Sequence, residues 1–237
     1  MIKTYILCNK DKEPKRFKSV QNQIATFNLS ETLDIEHFNY IWADEITQEI
    51  RKKYCKSDWT MRKHGRNMKN KPLTNGEISL FLNYIECLKK IRKEYSDGNF
   101  IIFESDVLFK DNFNIKIQIV LNQIQNINDW GLINIGDGSG RELIRKTMGL
   151  PKTNPIKIEN NKYYKENINC GADAIIWNYN SICKFLNYYE QKEDIDGPID
   201  TKMDVFSTYI GGFDIYWLEP SLDYQGSVLK IFKSTIH

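Results

Sequence analysis

Cysteine chemistry has little to work with in this chain. The five cysteines, Cys8, Cys55, Cys87, Cys170 and Cys183, are odd in number and widely spaced, with neither CxxC nor Cys/His pairing at zinc spacing. A disulfide framework is therefore not expected, and the thiols read as reduced, mostly small buried apolar groups in a cytoplasmic setting. Histidine is scarcer still: His37 and His64 fall in polar segments and His237 is the last residue, so all three are expected at the surface. Without a Ser/His/Asp or Cys/His constellation, hydrolase chemistry has no support. No apolar run approaches the ~20 residues of a membrane span, so no transmembrane segment is expected. The opening Met1-Ile2-Lys3-Thr4-Tyr5-Ile6-Leu7-Cys8 lacks the longer apolar core and cleavage site of a signal peptide. A formal net charge of +2 is too small to make nucleic acid the main partner. There is no internal repeat and no low-complexity linker. The 237 residues suffice for one domain, 1–237, with a substantial core.

What is present is an alternation of apolar runs and amphipathic stretches. Residues 3–8 and 38–43 read as strands, with a helix over 17–27 between them. Thr74-Asn75-Gly76-Glu77 matches a capping box. Behind it Ile78, Phe81, Leu82, Ile85 and Leu88 recur at helical spacing, and Lys89, Lys90, Arg92 and Lys93 gather where the helix dipole favours cations. Ser96-Asp97-Gly98-Asn99 breaks the chain before an apolar strand that ends in Glu104 and Asp106. A helix over 115–127, a strand at 131–135, a strand at 170–177, a helix over 181–189 and strands at 215–218 and 228–232 follow. Residues 141–167 are polar and irregular and read as an excursion from the core. Such alternation predicts an α/β fold with a largely parallel sheet, whose ligands bind outside the carboxyl ends of the strands.

At one such end lies Ile101-Ile102-Phe103-Glu104-Ser105-Asp106-Val107. Carboxylates spaced i, i+2 on a strand share a face, so Glu104 and Asp106 can offer two hard oxygen ligands to a divalent cation. The same residues would equally suit a buried strand running into a polar turn. Gly136-Asp137-Gly138-Ser139-Gly140 superficially resembles a phosphate cradle, but has neither the Gly-Lys-Ser/Thr of a P-loop nor dinucleotide spacing. From Arg51 to Lys71 nine Lys or Arg face one acid, Asp58, which suits a solvated face or a basic wall beside a phosphate or anionic acceptor.

Four landmarks in order resemble glycosyltransferase family 25, which includes lipopolysaccharide glycosyltransferases and collagen galactosyltransferases. Leu73-Thr74-Asn75-Gly76-Glu77-Ile78 resembles its Leu-Thr-x-Gly-Glu-Ile, and Ile102 to Val107 its Leu-Glu-Asp-Asp-Val metal motif. Gly171-Ala172-Asp173 resembles its Gly-Ala-Tyr strand, and Pro198-Ile199-Asp200 its Pro-Val-Asp. Gln225-Gly226-Ser227 falls where the family has Gln and then Ser, and Arg16 and Ala43-Asp44 fit its opening more weakly. Two departures stand out: Asn83-Tyr84 replaces the family's Ser-His, and Ser105 replaces the middle acid of the metal motif.

The resemblance implies a GT-A type fold, with a nucleotide-sugar half over about 1–110 and an acceptor half over about 111–237. It implies a UDP-sugar donor, Mn²⁺ or Mg²⁺, and transfer of a hexose, galactose or glucose, to a glycan or protein hydroxyl with inversion at the anomeric carbon. Asp106 is expected to meet the metal directly, Glu104 to meet metal or ribose, and Gln225 to meet metal or phosphate unless it is an ordinary strand-end amide. Arg16, Asp44 and Glu77 are further donor-binding candidates. Inversion needs a base on the acceptor hydroxyl. Asp200 and Asp173 are the candidates, Asp200 having the alternative of a helix N-cap and Asp173 being costly inside an apolar strand without a polar site or partner. The rival expectation is a catalytically silent member acting as a binding or scaffold protein, motivated by Ser105 and Asn83-Tyr84.

Overall fold

The computed structural model describes residues 1–56, 62–63, 66–67, 72–137, 141, 145–146, 152–166, 171–192 and 194–233. In chain order the elements are β1 (Ile2–Leu7), α1 (Pro14–Thr26), β2 (Leu33–Phe38), α2 (Gln48–Tyr54), β3 (Arg62–Lys63), β4 (Arg66–Asn67), α3 (Asn75–Glu94), β5 (Asn99–Glu104), β6 (Val107–Phe109), α4 (Phe113–Gln123), β7 (Trp130–Asn134), β8 (Ile156–Ile158), β9 (Asn161–Lys165), β10 (Ala174–Asn178), α5 (Tyr179–Lys192), α6 (Ile199–Ile210), β11 (Asp214–Glu219) and β12 (Asp223–Gln225). Eight strands form one sheet in the order β2-β1-β5-β10-β7-β11-β9-β8. β2, β1 and β5 are mutually parallel, as are β7 and β11, while β10 and β9 run against their neighbours.

Period-2 alternation sends successive side chains to opposite faces. Tyr5, Leu7, Ile102, Ile175, Trp177 and Ile215 pack on one face with α3, α5 and α6. Ile6, Ile101, Phe103, Ile133 and Ile176 pack on the other with α1 and α4. The result is a helix–sheet–helix sandwich, the expected α/β class. Helix α1 starts on Pro14, whose missing N–H costs nothing in a first turn. Helix α3 starts on the predicted capping box: the Thr74 N–H donates to Glu77 Oε2 at 2.7 Å and the Glu77 N–H to Thr74 Oγ1 at 3.2 Å. Gly211, at φ +67°, supplies the left-handed residue that ends α6.

Four expectations need correction. The second strand is residues 33–38, not 38–43: its register with β1 begins at Ile2 opposite Leu33. Beyond Phe38 the backbone is satisfied by Asn83 of α3 rather than by a ladder. Asn83 Oδ1 accepts from the Tyr40 N–H and Nδ2 donates to the Ile41 carbonyl, both at 2.6 Å. Residues 141–167 are not wholly an excursion, because β8 and β9 form a hairpin whose inner strand pairs with β11 and buries Tyr163 completely. Strand β10 begins at Ala174, although the Asp173 carbonyl still accepts from the Glu104 N–H at 2.8 Å. Residues 228–232 form turns rather than a strand, with Val228, Leu229 and Ile231 exposed. Residues 138–140 of the glycine-rich turn, and the side chains of the basic stretch from 57 to 71, lie outside the described residues.

Candidate active site

The parallel strands β1, β2 and β5 all end at one side of the sheet, and there the fold opens a cleft whose enclosed space is about 40 Å³. Leu7 at the end of β1, Arg16 of α1, Trp42 and Ala43, Gly76 and Asn83 of α3, and Glu104 and Ser105 line it. The ends of parallel strands are where α/β sheets bind ligands.

Glu104 is the last residue of β5 and is buried. Burial pushes its carboxyl well above the usual range. The charges of Asp106, Asp173 and Asp200 push it further, with Arg16 opposing. Carboxylates scattered over nearly a hundred residues of sequence are thus brought within electrostatic reach of one another. Asp106 lies in the turn between β5 and β6 and is 2% exposed. Its Oδ2 accepts from the Ser227 N–H at 3.0 Å and its carbonyl from the Gly226 N–H at 2.8 Å, so the turn after β12 clasps it. Its Oδ1 is buried with no hydrogen-bond partner. A carboxylate oxygen left so is costly unless something absent from the polypeptide occupies it. Gln225 lies opposite Val107 in the β12–β6 pair, next to Asp106, and is half-buried.

Asp173 is fully buried and its carboxylate rests on Gly136, where an added Cβ would lie 2.2 Å from Oδ2. Tyr84 secures this segment, its hydroxyl donating to the Ala172 carbonyl. Burial, and then the charges of Glu104 and Asp173, keep that hydroxyl protonated. Asp200 sits inside the first turn of α6, half-buried, with Pro198 rather than Asp200 at the cap position. Its Oδ1 accepts from the Thr201 N–H at 2.7 Å. Arg16 is 7% exposed: Nη1 donates to Ser105 Oγ at 2.8 Å and pairs with Glu13 Oε1 at 2.9 Å.

Two candidates lie further out. Asp44 is exposed and pairs with Lys12, its neighbour Ala43 being the residue that lines the cleft. Glu77 lends Oε2 to the start of α3 beside the cleft-lining Gly76. His37 is half-buried rather than at the surface, 4.7 Å from the Phe17 ring, because β2 starts earlier than expected. Sequence reasoning missed Asp223, fully buried on β12 with the backbone of Asp137 as a neighbouring donor. Burial and then the charge of Asp173 raise its pKa well above the usual range, with Lys110 opposing. The signal was available: Asp223 and Gln225 repeat the i, i+2 spacing of Glu104 and Asp106. Glu13 was missed as well: it stands i, i+3 to Arg16, the spacing of an ordinary exposed helix pair, and nothing local shows that Ser105, 92 residues on, buries it.

A family-wide comparison matches residues 1–198 to Glycosyltransferase family 25 (LPS biosynthesis protein). The chain belongs to glycosyltransferase family 25. It is a glycosyltransferase of α/β architecture. Among solved structures, the galactosyltransferase LgtC in complex with donor and acceptor sugar analogues is 13% identical, with 91% of this chain and 73% of that one covered at a TM-score of 0.37. An active-site mutant of LgtC is 12% identical, with 91% and 72% covered at 0.38. No curated protein matches the chain.

For this family 25 enzyme the departures from the motifs now have places. Asn83 holds the Tyr40–Ile41 loop at the cleft, Tyr84 anchors the segment before Asp173, and Ser105 joins the Arg16 pair. Among the described residues no three His, Cys, Asp or Glu side chains converge into a ready-made cation site. A divalent ion here would take Asp106, through its unpartnered Oδ1, with Glu104 as the second carboxylate, and draw its remaining ligands from a bound diphosphate and water. No helix among the described residues is long and apolar enough to cross a membrane.

The raised pKa values set a pH dependence. Glu104 and Asp223 hold protons in the folded state at pH values where the unfolded chain, with carboxyl pKa near 4, has lost them. Stability therefore falls as pH rises above about 4 and through the folded-state pKa values, each group contributing up to about 1.4 kcal/mol per pH unit. The ligand-free enzyme is expected to melt at a lower temperature at pH 8 than at pH 5, and Asp223→Asn is expected to flatten that slope. Thermal denaturation across pH checks both, and a parent profile rising toward pH 8 would contradict the assignment.

Proposed function

We propose that this glycosyltransferase moves a hexose, galactose or glucose, from a UDP-sugar to a hydroxyl of a glycan or protein acceptor, using Mn²⁺ or Mg²⁺ and inverting the anomeric centre. The observation carrying the reading is Asp106: a buried carboxylate, clasped at one oxygen and unpartnered at the other, beside the cleft at the strand ends. A bound divalent ion would neutralise the charge that develops on the departing nucleoside diphosphate. Asp106 and Glu104 hold that end of the donor, with Gln225 beside them for metal or phosphate. Arg16, Glu77 and Asp44 are assigned to the donor side, Arg16 as a cleft wall and the other two through the loops they fix. Every cleft-lining residue falls within 1–110, which supports the division into a donor half and an acceptor half at about 111–237. The GT-A type suits this arrangement. The four described cysteines are free, which suits a cytoplasmic setting.

For the base we favour Asp200 over Asp173. A base must reach the acceptor hydroxyl. Asp200 is half-buried in a helix's first turn, whereas Asp173 is wholly enclosed against Gly136. Asp173 then shapes the floor under the sugar.

The test is a thermal-shift and hydrolysis panel of UDP-sugars with and without Mn²⁺. One UDP-sugar is expected to raise the melting temperature only with metal, and to release UDP slowly. A well-folded enzyme that binds no nucleotide sugar would sink the reading. Binding without turnover, even with glycan and protein acceptors supplied, would favour a silent member acting as a binding protein.

A further inference from the structure

Three polar side chains are buried together at the foot of the cleft: Glu13 and Arg16, each 7% exposed, and Ser105, 5% exposed. Glu13 Oε1 receives two bonds, from Arg16 Nη1 at 2.9 Å and from Ser105 Oγ at 3.0 Å, while Arg16 Nη1 also donates to Ser105 Oγ at 2.8 Å. Glu13 Oε2 is buried with no hydrogen-bond partner. Enclosing a carboxylate with one oxygen unsatisfied is unfavourable. It is tolerated where a buried guanidinium would otherwise lack a counter-charge, which is worse.

Arg16 does more than pair with Glu13. Its Nη2 donates to the Lys233 carbonyl, and the Phe232 ring lies 5.7 Å from the guanidinium. Lys233 and Phe232 follow the Gly226–Ser227 turn that clasps Asp106. One guanidinium thus ties together the start of α1, the residue between the two metal-site carboxylates, and the segment that fixes the second of them. Ser105 brings no charge to this junction, so among the described residues the carboxylate bonded to Arg16 there is that of Glu13, three residues before it and 92 before Ser105.

We propose that Glu13 is a positioning residue for Glu104 and Asp106: its charge holds Arg16, and Arg16 holds Ser105 and the C-terminal segment that clasps Asp106. The inference rests on the donor-site reading of Asp106 given above. It makes the charge on this junction transferable. A carboxylate placed at 105 can serve Arg16 from the other side, provided the one at 13 is removed.

The experiment is a charge-swap cycle of Glu13→Gln, Ser105→Asp and the double variant. It is read by thermal denaturation of the ligand-free protein and by calorimetric titration of Mn²⁺ in the presence of UDP. Each single variant is expected to weaken Mn²⁺ binding by about 10-fold and to lower the melting temperature by roughly 5 °C. The double variant is expected to return to within about threefold of the parent, because the two changes share one partner and do not add. Additive losses in the double variant would overturn the proposal. So would rescue of melting temperature while single-variant Mn²⁺ affinity stays at the parent value, since Glu13 would then only stabilise the fold. A parent that binds neither Mn²⁺ nor UDP is recognised before any variant is made, and removes the donor-site reading on which the proposal rests.

Discussion

Asp106→Asn should leave a protein at least as stable as the parent and lower kcat/KM by about a thousandfold or more, close to 4 kcal/mol of transition-state stabilisation. The substitution keeps an oxygen to accept from the Ser227 N–H and removes the charge. Among neighbouring charges Asp106 opposes ionisation of Glu104 most strongly, so its loss relieves a like-charge interaction in the folded state. Activity and stability are therefore expected to move in opposite directions, as they do where a site stores unfavourable electrostatics for function. Steady-state kinetics with the donor found in the panel, beside a melting curve, gives both numbers. A variant retaining more than about a tenth of parental kcat/KM would remove Asp106 from the chemistry.

The second large effect orders the two remaining acids. Asp200→Asn is expected to lower kcat by about 10²–10⁴-fold while leaving donor affinity within about threefold, the signature of a lost general base. Asp173→Asn is expected to cost less than about tenfold in kcat and to raise the melting temperature, because it removes a carboxylate that opposes ionisation of both Glu104 and Asp223. Pre-steady-state measurement of UDP release distinguishes slow chemistry from slow product departure. The reverse ranking would transfer the base to Asp173 and leave Asp200 as a first-turn carboxylate on the α6 dipole.

Local pattern accounted for what depends on near neighbours. The capping box of α3 and the apolar strand that reaches Glu104 are written within a few residues and the structure has both, although the strand stops at Glu104 and Asp106 stands in the turn that follows rather than on the same strand face. Strand β2 was misplaced because Phe38 to Trp42 is as apolar and aromatic as a strand, yet its backbone is satisfied by a side chain from α3, a contact 42 or 43 residues distant. The β8–β9 hairpin was lost for a related reason. Asn161 to Lys165 has Asn or Lys at three of its five positions, and only Tyr163 faces fully inward, so its strand character comes from pairing with β11. In the site, the acids of the recognised motifs were legible, whereas Asp223 acquires its meaning from groups far along the chain, and Glu13, only three residues from Arg16, from the contact with Ser105 that buries the pair.

The position of β10 bears on how the chain comes to be folded at all. It lies between β5 and β7, and its register sets Phe103 opposite Ala174, about 70 residues later in synthesis. Two strands emerge from the ribosome first and must wait for the strand that joins them: β5, paired with β1 on one side, keeps its other side open, and Leu132 to Ile133 of β7 wait for β10 and β11. Sheets assembled by late insertion close slowly, and their open edges invite pairing with other chains in the interval. The centre of the sheet, and with it the meeting of Glu104 and Asp173, is therefore among the last contacts to form during translation, and chaperone dependence of the nascent protein should be concentrated between the emergence of β7 and that of β10.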